Sequence, residues 1–338
     1  MTASDLPGPG VLAPPLRPGA VQRRMSTEIR WTDAANPTAV DATGVALVLR
    51  GLAEDHMTGS TLAAARVHAE LAPDRTALAL SMDDVPQPGL VGEVVGPGFR
   101  ARAMDEVRPT PGTTRWALLD ELPVAALIAS YAVQRTLEGS RAGGLGLRVR
   151  VSPAQLLDRM LDLCAGWADG GGTVTAVRAG DSLPTQACPP APAVPGEPQP
   201  ELPPRAMRRR RVLTVVPERD RVEVTLSFRD SFAEPEGREV VLHEYAVTAV
   251  LDEQLRVRRL VAQPRVLPFG ECRLAAASAD RLLGLRPHEV DVALRHDRVG
   301  AAGCTHLTDC LRGLGSVPHL LSLAAAGPAQ DCASDGEA

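Results

Sequence analysis

Residues 183–207 read LPTQACPPAPAVPGEPQPELPPRAM, and this stretch decides how the chain is divided. Each of its nine prolines fixes φ and removes a backbone donor, so neither a helix nor a strand ladder is expected to run through it. We therefore predict an extended, semi-rigid linker. It would separate an N-terminal domain (21–182) from a C-terminal domain (208–326), and the Pro- and Gly-rich start (1–20) and the tail (327–338) are predicted to be disordered.

The elements on the two sides of the linker follow a similar order. The N-terminal half has strand-like runs at 45–50 and 76–80, followed by a helix from about Asp120, a good N-cap residue, and another at Ser152-Pro153. Consecutive strands with short connections favour antiparallel sheets, and helices that follow them favour an α+β fold. The prediction is two domains, each an antiparallel sheet with packed helices, and an internal duplication is a further hypothesis. In the C-terminal half, strands are predicted at roughly 211–216, 221–228, 239–250 and 255–262, and then a small-residue helix at 272–283.

Length and composition are those of a folded chain. Its 338 residues exceed what one hydrophobic core usually serves, which agrees with two domains, and 44% are apolar. All 36 basic residues are arginine. The absence of lysine excludes a Schiff-base lysine, a phosphate-loop lysine, a kinase strand lysine and a Ser–Lys nucleophile pair.

The charge distribution gives no reason to expect a nucleic-acid partner. The net charge is -5, and the one basic cluster, Arg205 with Arg208–Arg211, has no aromatic residue between its arginines. We interpret it as the solvated end of the linker. No secretory signal and no membrane-spanning run is found, so the expectation is a cytoplasmic protein without a membrane partner; a protein partner stays open.

Thiols and imidazoles are concentrated in the C-terminal half. Cys272, Cys304, His306 and His243 are our candidate metal ligands, with Cys310 as a further donor, because zinc and similar metals prefer such ligands three or four at a time. A helix is expected to begin beside Cys304, which would favour its thiolate. The cofactor predicted by this set is zinc or an iron–sulfur cluster. The spacing itself matches no standard zinc motif.

Three functions remain open at this point. The leading interpretation is an accessory or binding protein with a Cys/His metal or iron–sulfur site. The first alternative is an enzyme, in which Cys304 is a nucleophile with His243 as its base, or a bound metal activates water. The second alternative is an interaction protein without any site, in which the cysteines are buried small residues, His243 points outward from a sheet and His306 is solvated.

Several segments resemble those of an uncharacterised family. They are Pro268–Cys272, Leu282-Leu283-Gly284, Gly98-Phe99-Arg100, Leu118–Pro123 and above all Gly303-Cys304-Thr305-His306-Leu307. Together they are similar to a bacterial, actinobacterial-type domain-of-unknown-function family with a C-terminal GCTHL motif. The resemblance spans most of residues 21–323 and implies a bacterial cytoplasmic protein, but no mechanism. Family members often have His-Asp-Met where this chain has His243-Glu244-Tyr245.

Overall fold

A computed structural model gives the fold as α+β, built on one antiparallel sheet of nine strands. The strands lie in the order β5-β4-β3-β2-β1-β6-β7-β8-β9, so β1 and β6 meet at the centre. The residues that the structure describes are 12, 15–33, 41, 43–142, 153–181, 186–192, 200–296 and 300–327.

The elements follow the chain with short connections. The strands are β1 (Val21–Trp31), β2 (Leu47–Met57), β3 (Ser60–Leu71), β4 (Ala77–Met82), β5 (Val85–Pro86), β6 (Met207–Pro217), β7 (Arg221–Ala233), β8 (Glu239–Asp252) and β9 (Val257–Val266). The helices are α1 (Phe99–Val107), α2 (Thr114–Ala142), α3 (Pro153–Met160), α4 (Gly172–Ala179), α5 (Pro287–His296), α6 (Thr305–Arg312) and α7 (Val317–Ala326), and 3₁₀ turns cover Gly270–Leu282.

Helices pack on one face of the sheet, because alternate strand residues on that face are apolar. Under α2, the core includes Leu49, Ala53 and Val67 from β2 and β3. Under α6 and α7, it includes Leu226 and Val247 from β7 and β8. The opposite face of the central strands carries mainly polar side chains, so the sheet separates a helix-covered side from an open side.

Two domains with a sheet each are not confirmed, and neither is a duplication. Ten residue pairs join β1 to β2, and β1 continues the ladder into β6 from Ile29↔Met207 to Val21↔Val215. Both halves of the chain therefore contribute to a single sheet. The predicted helix from Asp120 is also longer than expected, because α2 begins at Thr114 and places Asp120 inside the helix.

The interpretation of Arg208–Arg211 as a solvated linker end is wrong. These residues lie in β6 at the middle of the sheet, and each is buried. Arg209 is fully buried. A strand at the centre of a sheet has no open edge, so its arginines must find carboxylate partners inside the protein.

The described part of the predicted linker lies against the sheet. Ala191 donates its N–H to the Glu239 carbonyl at 2.8 Å, and Val241 donates to the Pro189 carbonyl at 2.8 Å. These bonds continue β8 at a point that β9 does not reach. The boundaries of the linker, and the predicted disorder of 1–20 and 327–338, fall largely outside the described residues and stay predictions. No helix within the described residues is long and apolar enough to span a membrane.

Candidate metal centre

Three neighbouring strands bring Arg209, Asp230 and His243 into one row on the helix-covered face. Arg209 of β6 is the direct partner of Asp230 of β7, and Asp230 is the direct partner of His243 of β8. The register of β7 and β8 shifts immediately after Asp230, which is a β-bulge. Bulges redirect side chains and are frequent beside functional sites.

His306 completes the group from above the sheet. It lies in the first turn of α6, whose buried face also includes Leu307 and Cys310, so the helix directs His306 towards the strands. Its ring stacks on that of His243, with 3.9 Å between the centroids and 16° between the planes. Tyr131 from α2 meets the His243 ring edge-on at 5.0 Å, and Phe228 stacks on His306 at 6.2 Å. The two histidines are therefore enclosed by aromatic rings.

Asp230, His243 and His306 form a convergent set of donor atoms. One nitrogen of each histidine and one oxygen of the carboxylate lie within 4.8 Å of one another, and all three residues are buried. Nδ1 of His243 and Nε2 of His306 have no hydrogen-bond partner. The latter lies 3.9 Å from Oδ2 of Asp230, beyond hydrogen-bond distance. Two buried, unpartnered ring nitrogens beside a carboxylate are an arrangement that a cation would satisfy.

Burial keeps both imidazoles neutral. It lowers the pKa of His306 to about 3, with Arg209 contributing in the same direction. Burial, His306 and Arg209 together hold the pKa of His243 well below its usual range. A neutral imidazole retains a lone pair, which is the form that binds metals.

Asp230 is balanced between a cation and other acids. Arg209 donates from Nη1 to both of its oxygens, at 2.9 and 3.0 Å. Burial is nevertheless the larger effect, and together with Glu121 and Asp309 it raises the pKa of Asp230 to about 7. The contact with Arg209 favours the ionised form, so this carboxylate can take up or release a proton near neutral pH.

A network of buried ion pairs surrounds the site. Arg209 also donates to Oδ2 of Asp309 at 2.7 Å, and Arg100 donates to the other oxygen of Asp309 at 2.9 Å. Asp120 and Glu121, the adjacent carboxylates of α2, accept from Arg312 and Arg211 respectively. These contacts attach α2 and α6 to β6, and they fix the positions of Asp230 and His306 relative to the sheet.

The cysteines lie around this centre without joining the donor set. Sγ of Cys304 lies 3.9 Å from Nδ1 of His306, on the side of the ring away from Asp230. Tyr245 donates its hydroxyl to the Cys272 carbonyl at 3.1 Å. Among the described residues, the one group of three donors within 4.8 Å contains neither Cys272 nor Cys304.

The thiols are protonated at neutral pH. Burial raises the pKa of Cys304 to about 11 and those of Cys272 and Cys310 to about 12. Cys304 does precede α6 directly, and the backbone N–H groups of His306 and Leu307 lower its pKa. Burial outweighs them, so the expectation of a thiolate at this helix start is wrong for the metal-free protein.

The structure brings together His243 and His306, with Cys304 beside them. Sequence reasoning missed Asp230, Arg209 and Tyr131. One signal was present: Asp230 alternates with Phe228 and Phe232 along a strand, and residues two apart share a face. An acid between two phenylalanines on one face is therefore expected to point into the core.

Comparison with known proteins adds a family but no activity. A family model described as a protein of unknown function, DUF2889, matches residues 207–319. The matched stretch contains Asp230, His243 and His306, as well as Cys272 and Cys304. It supports the resemblance to an uncharacterised family, whereas bacterial origin and the GCTHL motif stay predictions. No curated protein and no solved structure is significantly similar to the chain.

Proposed function

We propose that the protein binds one divalent transition-metal ion through Asp230, His243 and His306. The observation that carries this proposal is the pair of buried ring nitrogens without hydrogen-bond partners, within 4.8 Å of each other and of a carboxylate oxygen. Leaving buried polar atoms unpaired costs about 1–3 kcal/mol each, so such atoms need an explanation. Two imidazoles and a carboxylate are ligands for Zn²⁺ and for non-haem Fe²⁺.

Binding requires a small rearrangement of the rings. A metal ion lies in the plane of each imidazole that binds it, and two planes 3.9 Å apart and only 16° from parallel do not meet at bonding distance. The rings of His243 and His306 must therefore tilt apart around the ion. The edge-on contact of Tyr131 with His243 would change at the same time.

Cys304 fits a supporting role better than a ligand role. Metal-binding histidines commonly donate their second ring N–H to an acceptor, which fixes the tautomer. Nδ1 of His306 faces Sγ of Cys304 at 3.9 Å, while Nε2 faces Asp230. The thiol would thus orient the imidazole that binds the ion.

An enzymatic function is the second candidate, and the number of protein donors favours it. A structural zinc site has four protein ligands, whereas a catalytic site has three and keeps an open position. With three donors, an ion here retains a position for water or substrate, and Asp230 is a proton acceptor near neutral pH. A Cys304 nucleophile has less support, because its thiol is protonated. An iron–sulfur cluster also has less support, since the cysteines do not converge.

The test is metal binding by the full-length chain after removal of metals. Titration with Zn²⁺ should give one ion per chain, and Co²⁺ should give visible absorption typical of a low-coordinate site. His243→Gln and His306→Gln should each weaken binding by at least about 100-fold, a loss of about 2.7 kcal/mol. His288→Gln changes an exposed histidine of α5 and should alter affinity less than twofold.

Cys304→Ser separates the two roles of the thiol. As a supporting residue, Cys304 should contribute about 10-fold or more in affinity, and no sulfur-to-cobalt charge-transfer band should appear in the wild type. A strong band that Cys304→Ser removes would make Cys304 a ligand. No stoichiometric binding of Zn²⁺ or Co²⁺, or binding unaffected by both histidine variants, would refute the proposed metal centre.

A further inference from the structure

The open face of the sheet forms a groove of about 700 Å³ on the side away from the metal centre. Strands β6, β1, β2 and β3 provide its floor, and the lining includes Arg208, Arg210, Arg50 and Arg66. The volume lies within the range of about 300–1,000 Å³ usual for small-molecule sites. None of these residues belongs to the Asp230–His243–His306 set.

The pairing of the strands arranges the arginines around a neutral floor. Arg210 is the partner of Ser26, Ser26 of Leu52 and Leu52 of Arg66, so one row crosses four strands with an arginine at each end. Neighbouring strands lie about 4.8 Å apart, so this row spans roughly 14 Å. The next row runs from Arg208 through Glu28 and Arg50 to His68.

The acids of the groove are occupied by cations other than Arg50 and Arg66. Glu28 pairs with Arg30, and the Asp83 carboxylate accepts from Arg115 at 2.6 Å. Within the described part of the chain, no carboxylate contacts the guanidinium of Arg50 or of Arg66. Both arginines are exposed on the groove, so their forks are free for a ligand.

Like charges also crowd this face. Burial lowers the pKa of Arg30, and Arg50 and Arg208 lower it further. Arg208 is itself buried and already bonded to Glu239 and to the Pro200 carbonyl. Arginines held close together without enough carboxylates favour an anionic ligand, because guanidinium groups bind phosphate and carboxylate through paired hydrogen bonds.

We propose that this groove binds a small organic anion with at least two phosphate or carboxylate groups, held at one end by Arg66 and Arg50 and at the other by the β6 arginines. The floor of Ser26 and Leu52 would contact the central, less charged part of the ligand. An extended ligand fits better than a single phosphate, because the arginines at the two ends of the row are several strands apart.

The experiment is isothermal titration of the full-length protein with inorganic pyrophosphate and, separately, with citrate, in metal-free buffer at constant ionic strength. One probe should bind saturably, and the tighter of the two identifies the phosphate or the carboxylate class. Arg50→Met and Arg66→Met should each weaken binding at least about 10-fold, since one charge-assisted hydrogen bond contributes about 1.5–3 kcal/mol. Arg259→Met changes an exposed arginine of β9 and should have less than a twofold effect.

His306→Gln should leave binding of the anion unchanged, which separates this groove from the metal centre. Three results would overturn the proposal: no saturable binding of either probe, equal binding by wild type, Arg50→Met and Arg66→Met, or a duplex DNA oligonucleotide that binds more tightly than both probes and loses that affinity in the two variants. Matching thermal unfolding of the variants and the wild type excludes a folding defect.

Discussion

Replacing Arg209 by methionine should destabilise the metal-free protein strongly. The guanidinium is fully buried and donates three short hydrogen bonds, two to Asp230 at 2.9 and 3.0 Å and one to Asp309 at 2.7 Å. Methionine fills much of the same space but leaves Asp230 without its cation. Asp309 keeps Arg100 at 2.9 Å, so the uncompensated charge is mainly that of Asp230.

The expected loss is about 3–5 kcal/mol in the free energy of unfolding, the usual cost of removing one partner of a buried ion pair. A native protein is stable by only about 5–15 kcal/mol, so the shift should be large. It would be measured by urea unfolding at pH 7.5 with a metal chelator present, followed by both far-UV circular dichroism and tryptophan fluorescence. Coincident transitions would justify a two-state analysis.

Two further variants make this prediction sharp. Arg209→Met with Asp230→Asn removes both charges and should recover at least half of the loss, because coupled residues are not additive. Arg178→Met removes a pair whose side chains are 49% and 58% exposed, and it should cost less than about 1 kcal/mol. A loss for Arg209→Met no larger than that for Arg178→Met would refute the reasoning, since the Arg209 pairs would then be no stronger than a solvated one.

Three other perturbations test separate features of the structure. His306→Gln should show a pH-dependent difference from wild type: a buried histidine whose pKa falls to about 3 contributes fully above about 6.5, the pKa of an unfolded histidine, and this contribution is lost at up to about 1.4 kcal/mol per pH unit as the pH falls below that value. Urea unfolding at pH 5, 6 and 7.5 measures it, and a difference that is constant with pH would contradict a buried neutral imidazole. Gly51→Ala should cost about 1–3 kcal/mol, because a methyl group there would lie 2.7 Å from Val67 and 3.0 Å from Leu118, whereas Gly96→Ala, with its nearest neighbour at 3.8 Å, should be almost neutral in the same assay. Limited trypsin digestion should leave the bonds after Arg209 and Arg211 intact, because both lie in a central strand; early cleavage there, seen by mass spectrometry, would mean that β6 is not integrated into the sheet.

Parts of this fold were accessible from the sequence. The strands of the C-terminal half were predicted within a few residues, because long runs of β-branched and apolar residues such as Val240-Val241-Leu242 have few alternatives. β1 was missed, since Val21–Trp31 contains three arginines and a glutamate and shows little apolar character. Its charged residues are tolerated because Arg23 lies against Asp55 at 2.7 Å and the open face accepts the others.

The candidate site was only half predictable for a similar reason. Histidine and cysteine attract attention by type, so His243 and His306 were found. Asp230 and Arg209 are common residues, and their burial depends on the pairing of β6 with β7, which sequence spacing does not give. The same long-range pairing reversed the interpretation of Arg208–Arg211.

The central position of β1 has a consequence for how the protein is made. β1 is synthesised first, yet its second neighbour, β6, follows roughly 180 residues later, and at about 5–20 residues per second the ribosome needs about 10–40 seconds to supply it. During that interval one edge of β1 has no partner. The charged side chains of β1 then protect the nascent chain, because an edge strand with several charges is a poor template for pairing with another molecule. The residues that hid this strand in the sequence are thus the ones that keep it soluble until the sheet closes.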